Sequence, residues 1–218
     1  MNEIIPTIVP LSADDFASRA TTLAAFAPVI QIDAVDGVFA PNSTWMPEDG
    51  QRLPETGARY EAHLMVSDPL SVGVTFAHAG ATRIIAQAEA FGSASAIEAA
   101  FAAWRAAGAT EVGLAMLIDT PIEALAAHVQ RCDSILFMTI ARIGKQGEPF
   151  DPRALPRIVE FARLHPESVL AADGGLNEEV IPALVHAGVR RFCVGSAIAA
   201  AEDPAAVYKR LSEVANAL

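Results

Sequence analysis

The stretch Val169-Leu170-Ala171-Ala172-Asp173-Gly174-Gly175 joins a short apolar run to an acidic side chain and two glycines. A short apolar run bounded by turn residues is typical of a strand buried on both faces of a parallel sheet. The pattern recurs in Gln31-Ile32-Asp33-Ala34-Val35-Asp36-Gly37, where Asp33 closes the run that begins at Val29. Both patterns place a carboxylate at the carboxyl end of a strand, where α/β folds carry their functional groups.

Similar apolar runs occur eight times along the chain, and alanine-rich segments with helical spacing separate them. The predicted strands cover 4–9, 29–33, 60–65, 83–88, 111–117, 134–139, 169–173 and 191–194. The predicted helices cover 12–26, 69–79, 93–107, 121–130, 151–164, 177–187 and 203–217, and only the connection 34–59 looks mostly irregular. Eight strand–helix units without a break in composition predict an α/β fold, a single (β/α)8 TIM barrel domain over residues 1–218. A doubly wound open sheet is the structural alternative.

Composition limits the classes of partner. The 218 residues carry a formal net charge of −11, 52% of them are hydrophobic, and the mean hydropathy is +0.33. No uncharged apolar run reaches the ~18 residues that a membrane span needs, so buried strands explain the apolar excess better. The negative charge argues against nucleic acid and anionic membrane surfaces as partners, because both are bound through clustered Lys and Arg. Cys132 and Cys193 are too few for a disulfide framework, and the amino terminus lacks a signal-peptide pattern, so we expect reduced thiols and a cytoplasmic location.

Glycines follow the last two predicted strands, as Gly174-Gly175 after Asp173 and as Gly195 before Ser196. Backbone N–H groups at such glycines can approach an anion closely, and in α/β barrels these two loops form the usual phosphate site. The sequence therefore predicts a phosphate site there, with tight strand-to-helix turns as the alternative. A further glycine-containing stretch, 143–147, follows the sixth strand and either folds over the ligand as a lid or stays a solvated loop.

Several motifs occur together in this chain in a specific order. They are Ile32-Asp33 with Asp36-Gly37, Pro41-Asn42, His63-Leu64-Met65-Val66, Met138-Thr139, Gly144 with 146–150, Asp173-Gly174-Gly175 and Gly195-Ser196-Ala197. In these motifs the chain resembles the ribulose-phosphate 3-epimerase family over almost its whole length. The resemblance implies a metal-dependent isomerase of carbohydrate metabolism, on a TIM barrel of the ribulose-phosphate-binding type, that acts on a phosphorylated keto sugar.

The same resemblance implies roles for individual residues. Asp33, His63 and Asp173 take three of the four positions that hold a divalent metal cation, and Gln31 stands at the fourth, where the family has a histidine. Asp33 and Asp173 are also the implied catalytic pair, in which one carboxylate takes a proton from the substrate carbon and the other returns one to the opposite face. Further family positions are those for phosphate and substrate (Thr7, Gly144, Gly174, Gly175, Gly195 and Ser196), the cap over the site (Met65 and Met138) and another replaced histidine (Gln87).

Gln31 decides what the site can bind. A glutamine offers an amide oxygen or N–H groups in place of the imidazole nitrogen that suits zinc, iron or manganese. Three outcomes remain open from the sequence. Asp33, His63 and Asp173 bind a cation (Zn, Mn, Fe or Mg) on their own, the site shifts toward a harder metal, or it works without a metal and Gln31 donates a hydrogen bond to the enediolate.

The leading hypothesis is an isomerase that converts ribulose 5-phosphate to xylulose 5-phosphate by two-base proton transfer beside the ketone. One alternative is a non-catalytic sugar-phosphate-binding homologue with a degraded metal site. Another is a decarboxylase of keto sugar acid phosphates on the same scaffold. That site is expected to have a lysine near the third strand, whereas Val66 and Ser67 follow His63-Leu64-Met65. The resemblance also implies a homo-oligomer.

Overall fold

The structure, a computed structural model, describes residues 1–217. Within these residues, eight parallel strands close into a barrel in chain order, and β8 pairs with β1. The strands are β1 (Glu3–Ile8), β2 (Val29–Val35), β3 (Arg59–Met65), β4 (Arg83–Gln87), β5 (Glu111–Met116), β6 (Ser134–Met138), β7 (Leu170–Asp173) and β8 (Val189–Val194). The helices are α1 (Ala13–Ala24), α2 (Pro69–Ala79), α3 (Ala94–Ala106), α4 (Ala154–Leu164), α5 (Ile181–His186), α6 (Ser196–Ala199) and α7 (Pro204–Asn216). The closed barrel confirms the predicted (β/α)8 fold and excludes the open sheet.

Local sequence signals set the ends of several helices. Ser12 caps α1, because its Oγ accepts a hydrogen bond from the Asp15 backbone N–H at 3.1 Å. Asp68 and Asp203 cap α2 and α7 in the same way. Gly80 ends α2 with a φ of +114°, a backbone conformation that glycine adopts without a steric penalty. Within residues 1–217, no helix is both long enough and apolar enough to cross a membrane.

The segment between β5 and β6 differs from the prediction. The sequence predicts one helix over 121–130, but the structure has two short 3₁₀ turns, Ile122–Leu125 and Val129–Arg131. The side chains of Ile122, Leu125 and Val129 are buried, and their spacing of three and four residues suits either type of helix. The apolar pattern alone therefore does not distinguish them.

The helix predicted for 177–187 is also shorter than expected, because α5 begins only at Ile181. A helix that started at 177 would hold Pro182 in its interior, where proline lacks the N–H donor and clashes with the preceding turn. Asn177 instead forms a local turn, and its Oδ1 accepts hydrogen bonds from the backbone N–H groups of Glu179 and Val180. The connection between β2 and β3 is irregular, as predicted, apart from one isolated bridge that pairs Asp36 with Ser43.

Side chains that point into the barrel form layers, because alternate residues of each strand face inward. The base layer, at the amino ends of the strands, consists of Glu3, Glu61, Arg83, Glu111 and Arg191. Arg83 lies 3.1 Å from Glu3, 3.3 Å from Glu61 and 3.0 Å from Glu111. Above it lies an apolar middle layer that contains Ile5, Val29, Ile85, Ala115, Leu136, Ala171 and Cys193. The polar residues of the motifs lie above this layer, at the carboxyl ends of the strands.

The outer face of the barrel packs against the helices through large buried side chains such as Phe16, Phe76 and Trp104. Helices α2 and α3 meet at Gly73, and a Cβ added to this glycine would lie 2.1 Å from Trp104 Nε1. The same indole N–H donates to the backbone oxygen of Leu70 at 3.1 Å. The absence of a side chain at position 73 therefore allows the two helices to pack closely.

Candidate active site

Strand register brings the predicted site residues together at the barrel mouth. Asp33 on β2 is the direct neighbour of His63 on β3, and Asp173 closes β7 beside Met138 of β6. Asp33, His63 and Asp173 are all buried, and each offers a ligand atom within 4.8 Å of the others. Thr139 fixes the end of β7, because its backbone N–H donates to the Asp173 backbone oxygen at 2.8 Å.

Gln31 lies between the two carboxylates. Its Nε2 donates to Asp33 Oδ1 at 2.8 Å and to Asp173 Oδ2 at 2.7 Å. Ionised carboxylates only accept hydrogen bonds, so this arrangement turns the amide nitrogen toward them. The residue that replaces the family histidine therefore links both predicted catalytic acids through one NH₂ group.

Burial and charge shift the pKa values at the site. Burial raises the pKa of Asp33, and the nearby His63 and the hydrogen bond from Gln31 only partly oppose this effect. His63 Nδ1 lies 3.2 Å from Asp173 Oδ2 and 3.5 Å from Asp33 Oδ1. Burial acts to lower the pKa of His63, but the two nearby carboxylates outweigh it and raise this pKa to about 9.

The other ring nitrogen of His63, Nε2, contacts Gln87, which stands where the family has a histidine. Gln87 Nε2 lies 2.9 Å from His63 Nε2, so in this orientation of the amide the contact is a hydrogen bond when His63 is neutral, with Nε2 as acceptor and the proton on Nδ1. Rotation of the Gln87 amide by half a turn would present Oε1 instead, and His63 Nε2 would then donate. Gln87 can therefore serve either protonation state of His63. The sequence identified Gln87 as a departure from the family but gave no sign of this contact.

Three buried polar atoms without hydrogen-bond partners within residues 1–217 indicate whether a metal ion fits the site. Gln31 Oε1, His63 Nδ1 and Gln87 Oε1 make no hydrogen bond to any of the residues that the structure describes. With a divalent cation between Asp33, His63 and Asp173, the first two atoms could act as ligands. Gln87 Oε1 could then accept a hydrogen bond from the His63 Nε2–H group, the kind of contact that orients a metal-binding histidine. The residues therefore fit a cation, with Gln31 contributing an oxygen in place of an imidazole nitrogen.

The predicted phosphate residues line the same cavity. This cavity lies between the acid pair and the last two strands. It is lined by Thr7, Asp33, Met65, Met138, Gly144, Asp173, Gly174, Gly175, Gly195 and Ser196. A Cβ on Gly175 would lie 2.2 Å from Phe150 N, and one on Gly174 would lie 2.7 Å from Ile140 Cγ2. Glycine is therefore required for close packing here, as well as for the φ values of +67° at Gly175 and +113° at Gly174. Helix α6 has only four residues, so loop backbone forms most of this predicted phosphate site.

The stretch 143–147 lies over the mouth. Asn42 Nδ2 donates to the Gly144 backbone oxygen at 3.1 Å, and Gln146 Nε2 reaches Thr7 on β1. Lys145 pairs with Glu148 at 3.1 Å, so its charge is held within the loop. The sequence placed Gln146 in the motif that follows the sixth strand but gave no sign of its contact with Thr7, which lies 139 residues away.

Comparisons with known proteins agree with this geometry. Residues 3–199 match the ribulose-phosphate 3 epimerase family. The chain belongs to this family. A ribulose-phosphate 3-epimerase of Mycobacterium tuberculosis is 32% identical over 220 residues, which cover 97% of this chain and 94% of the relative. A ribulose-phosphate 3-epimerase of Bacillus subtilis is 30% identical over 194 residues, which cover 86% of each chain.

Among solved structures, KGPDC from Streptococcus mutans is similar, with a TM-score of 0.75 over 100% of this chain and 98% of that chain. At 13% identity this likeness shows the shared barrel fold alone. Membership of the ribulose-phosphate 3-epimerase family confirms the resemblance that the motifs indicated, and it supports an isomerase of the epimerase type. The group of Asp33, His63 and Asp173 could hold the metal ion on which such enzymes depend.

Proposed function

We propose that this protein is a ribulose-phosphate 3-epimerase, which interconverts ribulose 5-phosphate and xylulose 5-phosphate by inverting the carbon beside the ketone. The observation that carries the proposal is the convergence of two buried carboxylates, Asp33 and Asp173, on one cavity. Inversion needs a group on each side of the carbon that can take or give a proton. The names of the relatives support this reaction over others that barrels catalyse.

Proton transfer requires one carboxylate to start ionised and the other protonated. Burial raises the pKa of Asp33, which favours Asp33 as the protonated partner. In that state Asp173 takes the proton from C3, the electron pair of the C–H bond moves into an enediolate, and Asp33 gives its proton to the opposite face of C3. Asp173 then holds a proton and Asp33 is ionised, so the reverse reaction uses the two acids in exchanged roles.

The enediolate oxygen needs a positive charge or strong donors nearby. Gln31 Nε2 and His63 Nδ1 both lie among the two carboxylates and can provide such donors. A divalent cation held by Asp33, His63, Asp173 and Gln31 Oε1 would supply positive charge that stabilises the enediolate. Because three of these four ligands offer oxygen, we propose manganese or magnesium as the metal in preference to zinc.

The remaining predicted residues would bind and cover the substrate. Backbone N–H groups at Gly174, Gly175, Gly195 and Ser196, together called the phosphate cradle, would hold the phosphate. Such groups attract an anion without a positively charged side chain. Thr7 and Gly144 would line the sugar, while Met65 and Met138 would exclude water above the acid pair. We also propose that the chain assembles as a homo-oligomer, which sedimentation of the purified protein would measure.

Turnover and proton exchange test the proposal. The purified protein is incubated with ribulose 5-phosphate in deuterated solvent, with Mn, Mg, Zn or Fe added separately or with none. We expect xylulose 5-phosphate that carries deuterium at C3. Formation of no xylulose 5-phosphate and no exchange under any of these conditions would exclude the epimerase. If the sugar phosphate still binds in a calorimetric titration, the non-catalytic binder would be supported instead.

Single substitutions separate the two acids. Asp33→Asn and Asp173→Asn should each lower epimerisation by at least about 100-fold, the lower range for loss of a general acid or base. Each variant should still exchange the C3 proton of one epimer, and the two variants should act on opposite epimers, because the remaining acid reaches only one face. Exchange from the same epimer in both variants would contradict the two-base assignment.

A further inference from the structure

Gln146 extends its carboxamide across the mouth of the barrel. Its Nε2 lies 3.1 Å from the Thr7 backbone oxygen and 3.0 Å from Thr7 Oγ1. The backbone oxygen can only accept a hydrogen bond, so this contact fixes the amide nitrogen toward β1. The amide oxygen accepts no hydrogen bond from the residues that the structure describes, and it is the free polar atom of the group.

The carboxamide lies beside the proposed phosphate cradle. A Cβ added to Gly195 would be 2.6 Å from Gln146 Nε2 and 2.8 Å from Thr7 Oγ1. Thr7 is in turn the register neighbour of Gln31, which contacts both catalytic acids. Gln146 therefore lies beside the cradle and next to Thr7, and it lines the cavity that contains both the cradle and the acid pair.

The position of Gln146 in the cavity can be compared with the carbon atoms of a bound pentulose 5-phosphate. The phosphate is attached at C5, and the proton is transferred at C3. A substrate with its phosphate in the cradle and C3 at the acids must place C4 and its hydroxyl group between them. Gln146, which lines this cavity beside the cradle, is thus in position to contact this hydroxyl.

We propose that Gln146 is a specificity-determining residue that recognises the C4 hydroxyl of the substrate. This inference rests on the proposed function, since it takes the positions of phosphate and C3 from it. The hydroxyl donates to Gln146 Oε1, while Nε2 keeps the amide in place through Thr7. A site with an acceptor for a hydroxyl disfavours an analogue that lacks the hydroxyl. For one partly exposed hydrogen bond, the expected preference is on the order of tenfold.

Two variants and a matched control test the inference. Gln146→Ala removes the carboxamide, and Gln146→Met keeps the length of the side chain but removes the acceptor. Gln130→Ala removes an exposed glutamine from the turn before β6 and serves as the control. For each protein, kcat/KM is measured with ribulose 5-phosphate and with its 4-deoxy analogue.

We expect both Gln146 variants to lose on the order of tenfold in kcat/KM with ribulose 5-phosphate, mostly through KM, and to change little with the 4-deoxy analogue. The Gln130→Ala control should retain the preference of the unsubstituted protein. An equal loss with both compounds would show that Gln146 only holds the loop, and it would overturn the inference. The inference would also be overturned if Gln146→Met had the kcat/KM of the unsubstituted protein with ribulose 5-phosphate. Methionine restores the packing of the side chain but supplies no hydrogen-bond acceptor.

Binding separates this inference from the proposed function. Calorimetric titration of ribulose 5-phosphate and of the 4-deoxy analogue gives the preference even if the protein shows no turnover. A preference on the order of tenfold that both Gln146 variants abolish would support the inference without epimerase activity. Equal affinity for the two compounds, or no binding of either, would overturn it.

Discussion

At the scale of single residues, Gln31 shows how one amide can adapt to two states of a site. Its nitrogen links Asp33 and Asp173 when no cation lies between them, and its oxygen could act as a ligand when one does. A histidine cannot exchange a donor for an acceptor by rotating about one bond in this way. Gln31 therefore holds the two acids together, and as an oxygen ligand it would favour hard metal ions such as magnesium over zinc.

Replacement of Gln31 by histidine should change that choice. Gln31→His restores an imidazole nitrogen to the fourth ligand position, and we expect zinc affinity to rise about 10- to 100-fold, the range for changes to a metal ligand shell. Calorimetric titration of the metal-free protein with zinc and with magnesium measures the change. Gln130→His, at an exposed position, is the control, and equal zinc affinity in Gln31→His and the unsubstituted protein would contradict the assignment.

Asp36 provides a test of stability against pH. Its partial burial acts to raise its pKa, but hydrogen bonds from Ser67 and from the backbone N–H groups of Phe39 and Val38 outweigh burial and lower this pKa to about 2. A carboxylate whose pKa is lower in the folded state stabilises the fold above its unfolded pKa of 3.8. This contribution is lost as the pH falls through the folded value.

We therefore expect Asp36→Asn to be less stable than the unsubstituted protein above about pH 4, because asparagine can accept only part of this hydrogen-bond set. The difference in the free energy of unfolding should shrink as the pH falls from about 4 toward 2. Urea unfolding at a series of pH values measures it. Asp49→Asn, at an exposed position, is the control, and a difference that stays constant with pH would contradict the assignment.

At the scale of elements, the contact between α2 and α3 depends on one missing side chain. Gly73→Ala would place a methyl group against the buried Trp104 indole. Overpacking costs about 1–3 kcal/mol, and alanine gains about 0.5–1 kcal/mol over glycine in a helix. We therefore expect a net loss of about 0.5–2 kcal/mol in the free energy of unfolding. Urea unfolding checks this value. Gly92→Ala is the matched control, because its Cβ meets no atom within 4 Å, and equal stability of the two variants would contradict the expectation.

The same scale shows which elements the sequence can predict. The strands are predicted well, because buried parallel strands are short apolar runs. β7 ends at Asp173 as predicted, whereas β2 continues two residues past the predicted end at Asp33, to Val35. The helix predicted for 121–130 is wrong, because an apolar spacing of three and four residues does not distinguish an α-helix from 3₁₀ turns. Pro182 indicates that α5 starts late, because proline suits the first turn of a helix and not its interior. The helical spacing of apolar residues over 177–187 nevertheless predicts a longer helix.

At the scale of the whole molecule, the base layer could not be foreseen. Arg83 and Glu61 are ordinary charged residues in the sequence. Only barrel closure brings them into one cluster with charged residues from β1, β5 and β8. The contact between Gln146 and Thr7 escaped prediction for the same reason. Motif residues such as Asp33, His63 and Asp173 were found because a family pattern marks them, and the structure brings these three together.

Arg83 tests the energetic role of the base layer. Arg83→Met would leave the buried Glu61 carboxylate without its nearest cation, and we expect a loss of about 3–5 kcal/mol in the free energy of unfolding. Further replacement of Glu61 by leucine should recover much of this loss, because no uncompensated charge then remains at that position. Arg153→Met, which removes surface ion pairs, should cost about 1 kcal/mol or less. Equal effects of the two arginine substitutions in urea unfolding would contradict this account.

The apolar middle layer also bears on how an isotope label would behave. Ile5, Ile85 and Leu136 fill the barrel beneath the acids, so water reaches Asp33 and Asp173 from the mouth, past the loop that carries Gln146. A hydrogen removed from C3 would then stay with its carboxylate for as long as that loop remains closed. Because the opposite acid protonates the product, the label can return only to the epimer from which it came. The fraction of label that this recovered epimer keeps would compare the rate of loop opening with the rate at which the enediolate returns to it.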